Sequence, residues 1–247
     1  MPAEAIQRFI ADPASGDFDE LAAHAAEEAP VGPSPALARA AVSAVLASNG
    51  VVGPERRPVL ALAADGESRL VDEVLATRGD DAGLRPIKPR GVDPAATRSW
   101  LAARQRDHRP ALLVGPAAGF DGMLTPVERR GLKFRLPPGS AALLVRKSQE
   151  APDEALRTRL IGTLGLAPER LWSGWEVEDT VTPFVAPWDG EDRFAVPHWV
   201  RVETDAAGRL AILDLANQGG EPCVLTGARV KIEEDTFFPL PHSGATR

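Results

Sequence analysis

The spacing of apolar positions changes along the chain and divides it into parts. From Pro58 to about Thr182, short apolar runs alternate with stretches of helical spacing. Val59 to Ala63, Leu84 to Lys88, Ala111 to Val114 and Ala141 to Val145 have the length of buried strands. Lys133 to Leu136 and Arg170 to Ser173 are shorter strand candidates. Between them, Leu70, Val71, Val74 and Leu75 recur at helical spacing, with Asp65 as the cap and Gly79 as the stop. Asp93-Pro94 opens a second helix reaching about Arg106, with Trp100 and Leu101 turned inward. Pro152 opens a third, carrying Leu156, Leu160, Ile161 and Leu164 up to Gly165. Strands joined by helices need crossover connections, so this pattern predicts a largely parallel sheet. Phe120 to Leu132 is mixed and predicts no element.

After Pro183 the helical spacing ends. Val200 to Thr204 alternates, Asp205 to Gly208 is a polar turn, and Leu210 to Leu215 is apolar before Asn217 and Gly219-Gly220, which is a hairpin signal. Phe237, Phe238 and Leu240, interrupted by Pro239 and Pro241, form an apolar tail. At the other end, Phe18 to Glu28 predicts a short helix and Glu28 to Pro35 a loop. Ser34-Pro35 caps and starts a longer helix with Leu37, Ala41, Val45 and Ser48 on one face. The expected fold is therefore α/β: a largely parallel sheet flanked by helices, with a C-terminal β-rich lobe. Its parts are an N-terminal segment (1–57), an α/β body (58–182) and the β-rich lobe and tail (183–247), the last two forming one compact unit.

Composition narrows the function classes. The 247 residues include 35 acidic and 28 basic side chains, a formal charge of −7. That balance argues against a general nucleic-acid-binding surface. No apolar run approaches the roughly 18 residues of a membrane span, and no basic start followed by an apolar segment marks a leader. Cys223 is the single cysteine, which excludes an internal disulfide and fits a reducing cytoplasm. Lys88, Lys133, Lys147 and Lys231 are the only lysines, so arginine carries nearly all positive charge. With abundant alanine, glycine and proline, this points to a GC-rich bacterial source.

Several residue groups could carry chemistry. Glu176, Glu178 and Asp179 in the run SGWEVED offer three carboxylates for a cation, or a solvated rim beside Trp175. Cys223 could accept an acyl group, although its place in an apolar run favours a buried small side chain. His198 and Arg201 could bind a carboxylate, or be satisfied structural side chains. Arg146 and Lys147 could meet an anion, with solvated surface charge the favoured reading for each.

The ordered segments RRPVLAL, PALLVG, GLKFRLPPGS, LGLAPERL and WVRV, LDLAN, LTG, spanning Arg57 to about Ile232, closely resemble the acyl-protein synthetases of bacterial bioluminescence systems. These are relatives of phenylacetate-CoA ligase within the adenylate-forming superfamily. The resemblance implies a shortened adenylate-forming N-terminal domain. It also implies ATP- and Mg²⁺-dependent activation of a carboxylic acid, followed by acyl transfer to a thiol. Gly115, Gly174, Trp175, His198, Arg201 and Thr226 are expected to line a pocket.

The nucleotide motifs that such chemistry requires depart from the family pattern. No Ser/Gly/Thr-rich phosphate loop precedes RRPVLAL. The glycines expected after LPPGS are Ala142 and Leu143. The family's metal-binding Glu falls on Val177, unless a one-residue shift supplies Glu176 or Glu178. The ribose-gripping Asp falls on Ala228, which cannot accept hydroxyl hydrogen bonds. The expectation is a degenerate relative without ATP chemistry, serving as a non-catalytic partner or acyl/carboxylate-binding subunit beside an acyl reductase, carrier or ligase, with a homodimer plausible. The alternative is an active ligase or acyltransferase on a small acid, with Glu176, Glu178 and Asp179 holding magnesium, or with Cys223 taking the acyl group.

Overall fold

Four short apolar runs lie side by side at the centre of the molecule. In the computed structural model, which describes residues 2–27, 34–52, 56–64, 66–78, 87–88, 91–147, 153–217 and 223–240, the chain first forms α1 (Pro2–Ala11), α2 (Phe18–Glu27) and α3 (Pro35–Ser48). There follow β1 (Val59–Ala61), α4 (Arg69–Arg78), β2 (Ile87–Lys88), β3 (Gly91–Val92), α5 (Pro94–Asp107), β4 (Leu112–Gly115) and α6 (Ala117–Glu128). Next come β5 (Ala141–Arg146), α7 (Glu154–Leu164), β6 (Leu171–Trp175) and β7 (Phe184–Pro187). The chain ends with β8 (Phe194–Ala195), β9 (Val200–Thr204), β10 (Arg209–Asp214), β11 (Cys223–Glu233) and β12 (Thr236–Pro239).

The first sheet has the order β1-β4-β5-β6-β7, parallel except for β7 at its edge. Successive side chains of a strand point to opposite faces, and both faces here are covered. Val59, Ala61, Leu112, Val114, Leu143 and Val145 join one apolar cluster with α1, α3, α4 and the second sheet. Leu60, Leu113, Ala142, Leu144 and Leu171 join another with α5, α6 and α7. Burial on two sides is why these strands read as unbroken apolar runs.

The second sheet is antiparallel, in the order β8-β12-β11-β10-β9. The predicted hairpin is present: Leu210 pairs with Thr204 and Asp214 with Val200. Strand β11 changes partners along its length, pairing with β10 from Cys223 to Arg229, with a register shift after Leu225, and with β12 from Val230 onward. Phe194 and Phe237 of this sheet stack at 5.5 Å and meet Trp175 and Phe184 of the first.

Helix α5 begins as predicted, with Asp93 Oδ1 accepting from Ala95 and Ala96 N–H, and α7 ends at Gly165 with φ 67°. Other expectations need correction. The mixed stretch after β4 is helix α6, whose pattern is broken by Gly119, Gly122 and Pro126. Gly119 is there for close approach: a Cβ on it would lie 2.1 Å from the Leu62 carbonyl oxygen. Lys133 to Leu136 is a connection, not a strand, and its Phe134 and Leu136 N–H groups donate to the last carbonyls of α7, Thr163 and Leu164. Helix α1, unpredicted, buries Ile6, Phe9 and Ile10. Ser34 stands at the α3 N-cap, but its hydroxyl caps nothing. Ile87–Lys88 pairs with Gly91–Val92 as a small hairpin. Asp65, Gly79, Leu84, Pro152, Gly219, Gly220 and Pro241 lie outside the described residues.

Candidate functional site

The chain leaves the parallel strands at their carboxyl ends, where open α/β sheets form ligand crevices. Two cavities lie there. The larger, of about 620 Å³, is bounded by Gly66 to Glu73 at the start of α4, by Lys147 after β5 and by Glu176 to Pro183 after β6. The smaller, of about 340 Å³, lies between Trp175 and Val177 on one side and Val224 to Ala228 of β11 on the other. Lys147, Val177, Glu178 and Asp179 line both, so the two are halves of one cleft between the sheets.

The segment from Glu176 to Pro183 is fastened on several sides. Glu176 Oε1 accepts from the Leu70 N–H at 2.5 Å and from the Ser68 hydroxyl at 3.0 Å. Ser68 Oγ in turn accepts from Val71 N–H. Glu176 thus supplies a carboxylate to the first turn of α4, where unpaired N–H groups and the helix dipole favour an anion. The Arg69 guanidinium donates to the Thr180 carbonyl at 2.7 Å, and Asn217 Nδ2 to the Asp179 carbonyl at 2.8 Å.

Asp214 holds the same segment from below. This carboxylate is 1% exposed. Its Oδ2 accepts from the Val181 and Thr182 N–H groups, and its Oδ1 from the Thr182 hydroxyl and the Ala216 N–H. The Trp199 indole N–H donates to Thr182 Oγ1 at 2.9 Å, completing the network. Burial pushes the Asp214 carboxyl above the usual carboxylate range, and donation by Thr182, Ala216 and Val181 opposes that rise. Sequence reading took Asp214 as part of an apolar run. The signal was an acid inside that run, since a buried carboxylate persists only with dedicated donors.

A divalent cation does not fit the predicted ligands. Glu176 is engaged by α4, while Glu178 and Asp179 are exposed beyond it. Among the described residues no three His, Cys, Asp or Glu side chains group so as to hold a metal. The other acids of the larger cavity are also engaged. Glu67 accepts from Ala64 N–H, Asp72 from Gly66 N–H, and Glu73 pairs with Arg39 at 3.5 Å.

The predicted pocket residues do not converge on one space. Trp175 and Thr226 line the smaller cavity. Gly115 and Gly174 line neither: a Cβ on Gly115 would lie 2.6 Å from Leu62 Cβ. One on Gly174 would lie 2.9 Å from Leu70 Cδ2 and 3.3 Å from Leu143 Cδ1. Leucine side chains therefore fill the face that Gly174 presents. His198 and Arg201 also sit elsewhere, against the N-terminal helices. His198 Nε2 meets the Phe9 carbonyl at 2.6 Å, and Arg201 pairs with Asp19 at 2.6 Å while lying over the Phe18 ring.

Two further expectations are corrected. Cys223 is exposed at the start of β11, because alternation there turns Val224 inward instead. The Arg146 side chain is only 8% exposed, not a solvated charge. It pairs with Asp192 at 2.9 Å, donates from Nε to Ser173 Oγ and lies over the Trp175 and Phe194 rings. Burial lowers the Arg146 pKa and raises that of Asp192, and their mutual attraction opposes both shifts.

This fold, a parallel sheet with a strand-end cleft and an antiparallel lobe, is similar to that of several solved AMP-forming, adenylate-forming enzymes. An acyl-CoA synthetase (AMP-forming)/AMP-acid ligase II-like protein from Dyadobacter fermentans matches with a TM-score of 0.55 and 13% identity, over 83% of this chain and 53% of its own. An open conformation of 2-hydroxyisobutyryl-CoA ligase, in complex with 2-HIB-AMP and CoA, matches at 0.57 and 11%, over 84% and 52%. ATP-bound MatB from Rhodopseudomonas palustris matches at 0.52 and 16%, over 83% and 44%. The chain thus spans about half the length of these relatives, and the likeness is one of fold. No family model matches, and no curated protein does. Among the described residues no helix is long and apolar enough to cross a membrane.

Proposed function

We propose that this chain is an adenylate-forming-ligase scaffold that does not activate acids with ATP, and that it works as a non-catalytic, acyl- or carboxylate-binding partner in an acyl-transfer system. The observation that carries this reading is the filled face of Gly174. Leu143, at a position where the resembled family has a glycine that lets backbone approach a ligand, packs with Leu70 against that face. The engagement of Glu176 by α4 supports it further, since a carboxylate bound to a helix start is withdrawn from metal coordination. Isothermal calorimetry of the chain with ATP and magnesium tests the proposal. No saturable heat is expected, and micromolar affinity would refute it.

The alternative, an active ligase on a small carboxylic acid, draws on the 620 Å³ cleft and on exposed Glu178 and Asp179. Pyrophosphate exchange across a panel of acids would reveal it. Transfer from a preformed thioester draws on the exposed Cys223 thiol. Its mark would be an acyl adduct after incubation with acyl-CoA, lost in Cys223→Ala. On the non-catalytic reading, neither signal arises.

A further inference from the structure

The end of the parallel sheet opposite the cleft has the reverse charge. Ahead of β4 and β5 lie the last turn of α5 and the connection from α6. Arg106, Arg129, Arg130, Lys133 and Arg135 are exposed there and have no ion pair among the described residues. The acids from Arg104 to Gly139 are Asp107, Asp121 and Glu128. The first pairs with Arg104 and the other two with Arg159, so none of these three pairs with the five cations; ahead of β6 at the same end, Glu169 is offset in formal charge by Arg170. A chain with formal charge −7 therefore carries a concentrated basic face.

This face also holds Leu132, 39% exposed and one of three large apolar side chains so exposed among the described residues. The backbone around it is pinned. Leu132 N–H donates to Val127 O, Phe134 N–H to Thr163 O, Arg135 N–H to Gln105 Oε1 and Leu136 N–H to Leu164 O, while Gly131 turns the chain at φ 65°. The bond to Gln105 draws the connection against the last turn of α5.

We propose that this face docks an acidic protein surface, a helix or loop presenting several carboxylates around an apolar side chain that covers Leu132. Charge complementarity and an apolar centre within a polar rim are the features of a protein interface. Four of the five cations are arginine, whose planar guanidinium pairs with carboxylates through two parallel bonds. A membrane surface asks only for charge, and neither a fixed backbone nor a set spacing adds to it. Nucleic acid asks for a longer basic track, and the net negative charge of the remaining surface opposes it. The cleft lies about 20 Å away along the six residues of β5, so a partner docked here leaves it open. The inference rests on the partner reading above for its biological role, yet it is tested separately, since ATP calorimetry does not probe this face.

The experiment titrates the full chain into a labelled helical peptide with a glutamate-rich, leucine-centred face, at low salt, by fluorescence anisotropy. A peptide with serine replacing leucine, a short DNA duplex, and phosphatidylcholine–phosphatidylserine vesicles are run alongside. Saturable binding to the acidic peptide is expected, weakened about tenfold or more in the triple variant Arg129→Glu/Arg130→Glu/Lys133→Glu. Leu132→Ser should weaken it about fivefold with an unchanged thermal melt, because the side chain is exposed. No peptide binding, binding indifferent to these variants, or tighter binding to the duplex or the vesicles would overturn the proposal.

Discussion

Replacing Asp214 with alanine removes the acceptors of four donors: the N–H groups of Val181, Thr182 and Ala216 and the Thr182 hydroxyl. A buried donor left without a partner costs about 1–3 kcal/mol, which sets an upper range of roughly 4–12 kcal/mol. Removing a carboxylate that is 1% exposed returns several kcal/mol of desolvation penalty, and water entering the space can satisfy part of the remainder. The expected loss is about 3–5 kcal/mol, a large share of the 5–15 kcal/mol that holds a typical domain folded. For a chain of this size that is a fall in Tm of roughly 6–20 °C.

Asp214→Asn is the sharper variant. One orientation sets its NH2 against the Val181 and Thr182 N–H groups, and the other sets it against the Ala216 N–H. The isosteric change should therefore recover less than half of the loss. Urea unfolding followed by tryptophan fluorescence measures both, with Trp199 inside the network as a local reporter. If alanine costs less than about 1 kcal/mol, or if asparagine matches the parent chain, the network does not secure the cleft segment.

The Arg146–Asp192 pair yields a second prediction: with side chains 8% and 12% exposed, Asp192→Ala strands a buried guanidinium. It should cost about 3–5 kcal/mol in urea unfolding, whereas Arg146→Met/Asp192→Leu together should cost much less. Gly119→Ala gains helix propensity of about 1 kcal/mol, yet its Cβ would press on the Leu62 carbonyl. A net loss of about 1–3 kcal/mol is expected, and a raised Tm would show that α6 can shift away from β1. The guanidinium of Arg159 holds the Glu128 carboxyl below its ordinary value of 4.5. That stability is present above the unfolded pKa and lost as pH falls through the folded one, so Glu128→Gln should flatten the acid limb of a Tm-against-pH curve below about pH 5. Glu176→Ala removes the carboxylate at the α4 start and should lower stability by about 1–2 kcal/mol. A change in small-acid affinity larger than that in stability would favour the catalytic alternative.

Period and punctuation along the chain determined the class of fold. Val59 to Ala61, Leu112 to Gly115 and Ala141 to Arg146 are buried on both faces, so their apolar character is continuous and readable without coordinates. Asp93-Pro94, Gly165 and the hairpin after Pro197 mark ends that local backbone chemistry dictates. Helix α6 was not readable because packing against Leu62 required a glycine where helix propensity asks for a side chain.

Tertiary structure alone decided what the polar residues do. The partners of Glu176 lie more than a hundred positions earlier, at Ser68 and Leu70, and those of Asp214 more than thirty positions earlier, at Val181 and Thr182. A carboxylate that binds a metal and one that caps a helix have the same local sequence signature. Only the donors brought to it from distant segments tell them apart. The same holds for Arg146, which local sequence would leave in water and Asp192 draws into the core. Apolar burial repeats along an element and so leaves a periodic trace, whereas a polar contact is made once, between two points, and leaves none.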